Sequence, residues 1–383
     1  MQPAMRALIS ALLALGAVTC GACGADPLRP RTFSSEWTGD GGASFEALQA
    51  RRRGTIPAGA SVVVGVAGNA DRILGLVLDT GARWSVAHAV DTRPVVAGGV
   101  VVASGGGALI AIDAMSGKRL WSRPVGKVTL FGAGDDGVTT AVSLSSGAAE
   151  GGTLLVIARD GSVRRQIETD KPIGVPAVAY DRIFVPWSDQ YVSAIDVTSG
   201  EEVGRVVLRE KTSRAFTKNG ALYFGETGFT RFDERIRDAP RNGASYVGLP
   251  PHRLAGAPRL MASGRERLAP AAGPFDRTRL YARPAAGPGP LVLDGGRFYA
   301  TSAAIVLGLD ARTGETAWEY VHDAAIIGGD AAPSGLVVCD ERGRVILLGG
   351  ERGTVSRRLD LGGPIRACIV SVDALAVALP GGA

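Results

Sequence analysis

One short motif recurs along the chain, and this recurrence constrains the fold more than any other feature. The fullest copy is ALIAIDAMSGKRLW at Ala108–Trp121, where an apolar run ends in Asp113 and a tight turn containing Gly117 leads to a second short strand. The Asp113 carboxylate can accept backbone N–H groups of the turn, and Gly117 can adopt the positive φ that closes it. The sequence therefore predicts a strand–turn–strand unit.

The strand before this turn is predicted to be covered on both faces. Its alternate residues, Leu109 and Ala111 on one face and Ile110 and Ile112 on the other, are all apolar. Blades stacked around an axis provide such double cover. Trp121 is large enough to fill the wedge between two neighbouring blades.

Further copies predict an array of such units. We place the turns on acidic residues: Asp79, Asp113, Asp160, Asp196, Asp233, Asp310 and Glu351. Successive turns then lie about 40 residues apart, except for a gap of 77 residues between Asp233 and Asp310 (310 − 233), and periods near 40 are typical of propellers and solenoids. The first and last units are incomplete, so pairing Ala367–Leu379 with Ser61–Trp84 closes a ring over 56–383. We predict an all-β fold, a β-propeller of seven four-stranded blades, with eight as the alternative. The motif residues outside the fullest copy are Trp84, Asp196, Gly200, Asp310, Gly314 and Trp318.

The N-terminus is predicted to be an export signal. Arg6 precedes the 12-residue apolar run Ala7–Val18, which is too short to span a bilayer, and Cys20 and Cys23 follow it. A cysteine after such a run is typical of lipoprotein processing. We therefore expect residues 1–23 to be a signal segment, one of the two cysteines to be lipidated, and the protein to be exported to the periplasm and anchored to the outer membrane. Plain secretion is the alternative.

Two segments depart from the strand pattern. Residues 24–55 are predicted to be a flexible tether, with a short helix over Phe45–Arg53. The 77-residue gap contains a predicted inserted loop at 238–290, within which Arg279–Pro284 is expected to be a strand that returns to the ring. The stretch Arg237–Pro290 holds nine arginines and three acids, a balance of +6 (9 − 3). Long loops in compact domains are often functional, with a solvated loop as the alternative. The candidate docking residues are Arg253, Arg259, Arg265, Arg267, Arg277 and Arg279.

The three best motif copies resemble the PQQ-like β-propeller repeat family, whose units read roughly A-x-D-x-x-T-G-x-x-x-W. In the copy at Asp196 and Gly200, Gly204 stands where the tryptophan is expected. One branch of that family contains quinone-dependent dehydrogenases, which hold pyrroloquinoline quinone (PQQ) and calcium with an adjacent cysteine pair, acidic ligands and a catalytic aspartate. Another contains non-catalytic envelope lipoproteins. This chain has isolated cysteines, Cys339 and Cys368, and its pair Asp135–Asp136 lies in a glycine-rich turn.

The sequence thus favours a non-catalytic, membrane-tethered scaffold that binds envelope proteins, is a monomer, and has no catalytic, cofactor or metal site. A periplasmic PQQ-dependent dehydrogenase, with PQQ and calcium, is the alternative, and binding of an anionic envelope polymer through the basic loop is a second. The net charge of +5 is too diluted over 383 residues to indicate nucleic acid. The three histidines are scattered, which predicts ordinary surface or strand roles. Whether Cys339 and Cys368 form a disulfide or remain buried thiols stays open.

Overall fold

Seven four-stranded antiparallel sheets contain the strands of the structure. The computed structural model describes residues 45–145, 151–169, 171–187, 191–207, 212–225, 229–232, 246–247, 279–284, 293–311, 313–333 and 335–373. Over these residues the prediction of an all-β propeller with seven blades is confirmed. The described residues contain no helix long and apolar enough to cross a bilayer.

The elements are numbered in chain order, beginning with one helix, α1 (Phe45–Ala50). Blade 1 contains β4 (Val95–Ala97), β5 (Val100–Gly105), β6 (Ala108–Asp113) and β7 (Arg119–Pro124), and blade 2 contains β8 (Thr129–Asp135), β9 (Thr139–Ser145), β10 (Gly152–Ala158) and β11 (Val163–Thr169). Blade 3 contains β12 (Ala177–Ala179), β13 (Arg182–Trp187), β14 (Tyr191–Asp196) and β15 (Glu202–Val207), and blade 4 contains β16 (Arg214–Lys218), β17 (Ala221–Gly225), β18 (Phe229–Arg231) and β19 (Tyr246–Val247). Blade 5 contains β20 (Arg279–Pro284), β21 (Leu293–Ser302), β22 (Ile305–Asp310) and β23 (Thr316–Val321), and blade 6 contains β24 (Ile326–Ala332), β25 (Gly335–Asp340), β26 (Arg344–Gly349) and β27 (Val355–Asp360). Blade 7 contains, in spatial order, β28 (Ile365–Ser371), β1 (Val62–Ala67), β2 (Arg72–Val77) and β3 (Arg83–Ala87).

Blade 7 joins the two ends of the chain and closes the ring, as predicted. Strand β28 pairs with β1, with Val64 opposite Ile369, and this pairing covers the edge of β1 that would otherwise be open. The closing strand ends earlier than the predicted Leu379, at Ser371. The chain leaves the sheet there because the Val372 N–H and the Asp373 carboxylate bond to other blades. Residues 374–383 lie outside the described part of the chain.

The first strand of each blade lies beside the first strand of the next, around a central channel. The parallel bridge between Val175 and Arg214 shows that neighbouring first strands run in one direction, so their carboxyl ends meet on one face, which we call the carboxyl-end face. The middle strands are covered on both sides, since every residue of β5 and the run Leu109–Ile112 of β6 are buried. Fourth strands alternate, as in the half-exposed β3. This confirms the double cover inferred from the apolar run before Asp113.

The structure corrects the margins of both irregular segments. The range 238–290 contains β19, the fourth strand of blade 4, and β20, the first strand of blade 5. Strand β20 coincides with the strand predicted over Arg279–Pro284. The loop interpretation is wrong at β19, which completes blade 4, and residues 248–278 lie outside the described part. Within the range interpreted as a flexible tether, α1 packs against the ring because Leu48 is fully buried there.

Candidate functional site

The turns of the repeat motif have the hydrogen bonds that the sequence predicts. Asp113 Oδ1 accepts the N–H groups of Met115 at 3.2 Å and Ser116 at 2.9 Å, and Gly117 has a φ of +71°. Asp196 Oδ1 accepts both equivalent N–H groups, and Asp310 Oδ1 accepts the N–H of Thr313, three positions later. Gly200 and Gly314 donate backbone N–H groups that close these turns. These motif residues therefore stabilise the frame.

Each motif tryptophan docks on a turn of the next blade. The Trp84 indole N–H donates to the Ala114 carbonyl at 2.9 Å, and a Cβ on Gly117 would lie 2.5 Å from Trp84. Trp318 donates to the Gly350 carbonyl at 2.7 Å. These contacts join blade 7 to blade 1 and blade 5 to blade 6. Trp121 lies against Gly161 of blade 2 in the same way: a Cβ atom added to Gly161 would lie 2.5 Å from the Cβ of Trp121.

Two arginines replace the tryptophan at other seams, and the sequence analysis missed both. Arg357 pairs with Leu347 as Trp121 pairs with Ala111, and its Nη1 donates to the Leu78 carbonyl of blade 7 at 2.9 Å. Arg165 has the same register in blade 2, and its Nη2 donates to Thr198 of blade 3 at 3.0 Å. Their position within the fourth strand, which is the position of the docking tryptophan in other blades, could have identified these two arginines, whereas their residue type could not.

A small polar cavity, about 100 Å³ in volume, lies in the central channel. Lys218 Nζ bonds both Asp330 oxygens, at 2.6 and 2.7 Å, and Asp330 Oδ2 also accepts the Val372 N–H at 2.8 Å. Asp373 accepts two backbone N–H groups, from Gly59 at 2.9 Å and Asn219 at 2.6 Å. These bonds join blades 4, 6 and 7 across the channel.

Asp135 is a buried acid that lines the cavity. Its side chain is fully buried, and it accepts hydrogen bonds from the Thr140 hydroxyl at 2.8 Å and the Gly137 N–H at 3.0 Å. Burial raises the pKa of this carboxyl, and the two hydrogen bonds and the Arg159 guanidinium, 3.8 Å away, oppose that shift. The charged form is therefore disfavoured in the folded ring.

The residues around the cavity do not fit PQQ with calcium. Sites for small ligands usually enclose about 300–1,000 Å³, several times the volume found here. The carboxylates of Asp135, Asp330 and Asp373 already accept hydrogen bonds from Lys218, hydroxyl or backbone donors. Binding calcium would break these bonds and leave Lys218 beside a second cation. We derive no redox chemistry from this channel.

The ordinary surface or strand role predicted for the scattered histidines does not describe His322, which lies in a charged cluster. His322 Nε2 lies 2.9 Å from Asp340 Oδ2, and these atoms with Asp323 form a group close enough to hold a metal ion. A guanidinium already contacts all three: Arg344 donates to Asp340 at 2.6 Å and to Asp323 at 2.5 Å, and lies 3.0 Å from His322. Arg344 lowers the pKa of Asp323 to about 2. We assign this network to joining blades 5 and 6.

The remaining candidate residues have different outcomes. Arg279 lies in β20 and donates to the Ile327 carbonyl of blade 6, so it contacts the ring itself. Cys339 and Cys368 form a disulfide between blades 6 and 7, with their Cα atoms 6.6 Å apart. The other candidates lie outside the described residues: Cys20, Cys23, Arg253, Arg259, Arg265, Arg267 and Arg277.

Comparisons with known proteins extend over most of the chain. A family model described as "Outer membrane protein assembly factor BamB" matches residues 35–166 and 77–358. Among solved structures, BamB from Moraxella catarrhalis is 17% identical, with 81% of this chain and 86% of that chain covered and a TM-score of 0.41. Apo AztD from Citrobacter koseri is 11% identical, with 82% and 98% covered and a TM-score of 0.43. Dihydro-heme d1 dehydrogenase NirN is 14% identical, with 79% and 63% covered and a TM-score of 0.45. No curated protein sequence is significantly similar to the chain.

Proposed function

The chain belongs to the family of the outer membrane protein assembly factor BamB, and from this premise we propose that it is a non-catalytic scaffold of the cell envelope. In this proposal a lipid on Cys20 or Cys23 tethers it to the outer membrane. Its partners are envelope proteins that take part in assembling outer-membrane proteins.

The observation that carries the proposal is the family match, which extends across residues 35–358. The interior of the ring agrees with a scaffold role. The charged groups of the channel bond to one another and to backbone groups, as Lys218 does with Asp330, so they join blades. A ring held in this way offers its faces and insertions for binding.

We propose that the basic insertion, the arginine-rich stretch Arg237–Pro290, is the element that docks on a protein partner. Replacing Arg253, Arg259, Arg265, Arg267 and Arg277 by glutamate is expected to abolish capture of the partner from solubilised membranes at low salt. Replacing the same five residues by lysine keeps the charge and is the matched control. Charged rim contacts act mainly through long-range attraction, so rising salt is expected to weaken capture by the wild type. Equal capture by the glutamate and lysine variants would contradict docking through this segment.

The same arginine variants test the anionic-polymer alternative. If the insertion binds a polymer rather than a protein, capture will survive protease treatment of the membrane extract. Loss of capture after that treatment, with the lysine variant behaving as the wild type, supports a protein partner.

Membrane tethering is tested at the two N-terminal cysteines. Cys20→Ser or Cys23→Ser is expected to move the protein from the membrane fraction to the soluble periplasmic fraction and to remove the acyl mass of the mature chain. The variant at the other cysteine is the control and is expected to stay on the membrane. If the wild type and both variants are all soluble, or if neither variant loses mass relative to the wild type, the chain is secreted by plain cleavage.

The dehydrogenase alternative has a direct optical test. Adding PQQ and calcium to the purified protein is expected to leave the quinone absorbance unchanged and to produce no oxidation of alcohols or sugars. A saturable spectral shift that depends on calcium would contradict the scaffold assignment.

A further inference from the structure

The seam between blades 3 and 4 lacks the side chain that joins other blades. In blade 3, Ala194 pairs with Gly204 in the register that places Trp121 opposite Ala111 in blade 1. Gly204 is buried but has no side chain to reach blade 4. The docking position of this seam is therefore vacant within the repeat.

The helix α1 supplies what the repeat lacks. Leu48 is fully buried in a cluster that contains residues of both blades, with Phe184 from blade 3 and Phe224 and Phe232 from blade 4. The rings of Phe184 and Phe232 meet edge to face, with centroids 5.3 Å apart. A leucine thus fills the apolar wedge that an indole fills elsewhere.

The hydrogen bond of the docking tryptophan is also reproduced. The Gln49 side-chain amide donates to the Phe232 carbonyl, and Phe232 directly follows β18, the third strand of blade 4. Ala114 and Gly350 also directly follow third strands, and they accept the indole N–H groups of Trp84 and Trp318. Leu48 and Gln49 together therefore match the apolar and polar parts of an indole.

Contacts beyond α1 hold the following residues on the same face. Arg182 Nη2 donates to the Arg51 carbonyl at 3.3 Å, and the Arg52 guanidinium lies 5.8 Å from the centre of the Tyr180 ring. Farther along, the Gly59 N–H reaches Asp373 at the mouth of the channel. The side chains of Arg51, Arg52 and Arg53 remain exposed.

We propose that the seam between blades 3 and 4 is a docking site for a short helix that presents a leucine and an amide, and that the segment Phe45–Ala50 of this chain is its occupant. The segment acts as a replacement for the missing tryptophan. It attaches the N-terminal part of the chain to the carboxyl-end face beside blades 3 and 4. This inference depends on no partner or membrane, so it stands apart from the proposed function.

Trypsin provides the first test because its target residues, Arg51–Arg53, directly follow the docked helix. Proteases cut segments that open locally. In the mature chain, Leu48→Asp is expected to speed cleavage at these arginines at least tenfold. Ala50→Asp places the same charge at an exposed position of the same helix and is expected to leave the rate unchanged. Equal rates for Leu48→Asp and the wild type would overturn the proposal.

Filling the vacant position provides the second test. Gly204→Trp faces the small Ala194 and is expected to compete with α1 for the seam, so that cleavage at Arg51–Arg53 accelerates while the ring keeps its thermal transition. In this background Leu48→Asp is expected to have no further effect on either readout. Additive effects of the two substitutions would contradict a shared site.

A third test remains valid even if Gly204→Trp does not fold. A labelled peptide of residues 43–54 is expected to bind the Leu48→Asp protein, whose seam is vacated, and to bind the wild type at least tenfold more weakly. The same peptide carrying Leu48→Asp is the control and is expected not to bind. No binding of the unmodified peptide to the Leu48→Asp protein, or equal binding of the two peptides, would overturn the docking site.

Discussion

Two of the docked tryptophans allow the hydrogen bond of a seam to be measured separately from its packing. Trp121 and Trp318 are almost equally buried, with 6% and 8% of their surface exposed. Both lie against a turn glycine of the next blade, Gly161 and Gly353. They differ at the indole nitrogen: Trp318 donates to Gly350 at 2.7 Å, whereas the buried nitrogen of Trp121 has no partner among the described residues.

Substitution by phenylalanine keeps most of the ring volume at both sites and removes the N–H. At Trp318 the change removes a hydrogen bond with a net value of about 0.5–1.5 kcal/mol and leaves the Gly350 carbonyl without that donor. At Trp121 it removes a buried, unpaired donor, whose desolvation costs about 1–3 kcal/mol. The two terms add, so we expect Trp318→Phe to lower the free energy of unfolding by roughly 1.5–4.5 kcal/mol more than Trp121→Phe. Alanine is expected to cost about 3–5 kcal/mol at either site, since it leaves a cavity.

Urea unfolding of the mature protein, followed by far-UV circular dichroism, measures this difference. The comparison requires equal m-values for the two phenylalanine variants, because a changed m-value would indicate a changed denatured state or an intermediate. Equal losses of stability, or a larger loss for Trp121→Phe, would refute the role assigned to the indole hydrogen bond.

Three further predictions concern ring closure, the disulfide and the channel. A chain that ends at Pro364 lacks β28 and is expected to lose its cooperative thermal transition, since β1 and β24 both lose their neighbour; a transition retained in calorimetry would contradict closure by β28. Replacing Cys339 and Cys368 by alanine is expected to lower the free energy of unfolding by roughly 3–4 kcal/mol, because the bridge closes a loop with a sequence separation of 29. In a thiol assay, denatured and unreduced protein that lacks residues 1–23 is expected to show no free thiol. Burial raises the pKa of Asp135, so the contribution of this carboxyl to stability falls as pH rises from about 4 through that pKa. Asp135→Asn is therefore expected to gain stability relative to the wild type between pH 4 and pH 7. Parallel pH profiles of the two proteins in urea unfolding would contradict this.

The sequence could predict the turns and the docking tryptophans because their interactions are local or repeat with the motif. Asp113 bonds to residues two and three positions later, so its role follows from the motif alone. Closure of the ring could be predicted because the repeat units at the two ends of the chain are each incomplete. The alignment of weaker copies on acidic residues was less accurate. Gly81 and Gly353 donate to the Val77 and Gly349 carbonyls, so an apolar residue and a glycine stand at the position of Asp113.

The channel contacts, and the seam contacts made by side chains other than the motif tryptophans, could not be predicted, because they join residues far apart in the chain. Lys218 and Asp330 are 112 positions apart, and Gln49 and Phe232 are 183 apart. Their proximity depends on how many blades separate them around the closed ring and on the rotation of each blade. The network of His322 and Asp340 crosses from the end of one blade to a turn of the next. No spacing rule within one element specifies such pairs.

Several seams share one hydrogen-bond acceptor although the donor differs. At four seams the acceptor is the carbonyl of the residue that directly follows a third strand: Leu78, Ala114, Phe232 and Gly350. The donors at these acceptors are two tryptophans, an arginine and a glutamine from outside the repeat. Because the turn fixes the carbonyl, any side chain that covers the wedge and carries a donor can serve. The seam filled by α1 can therefore open without disturbing a strand pair, whereas a seam closed by a fourth-strand residue opens only when that strand moves.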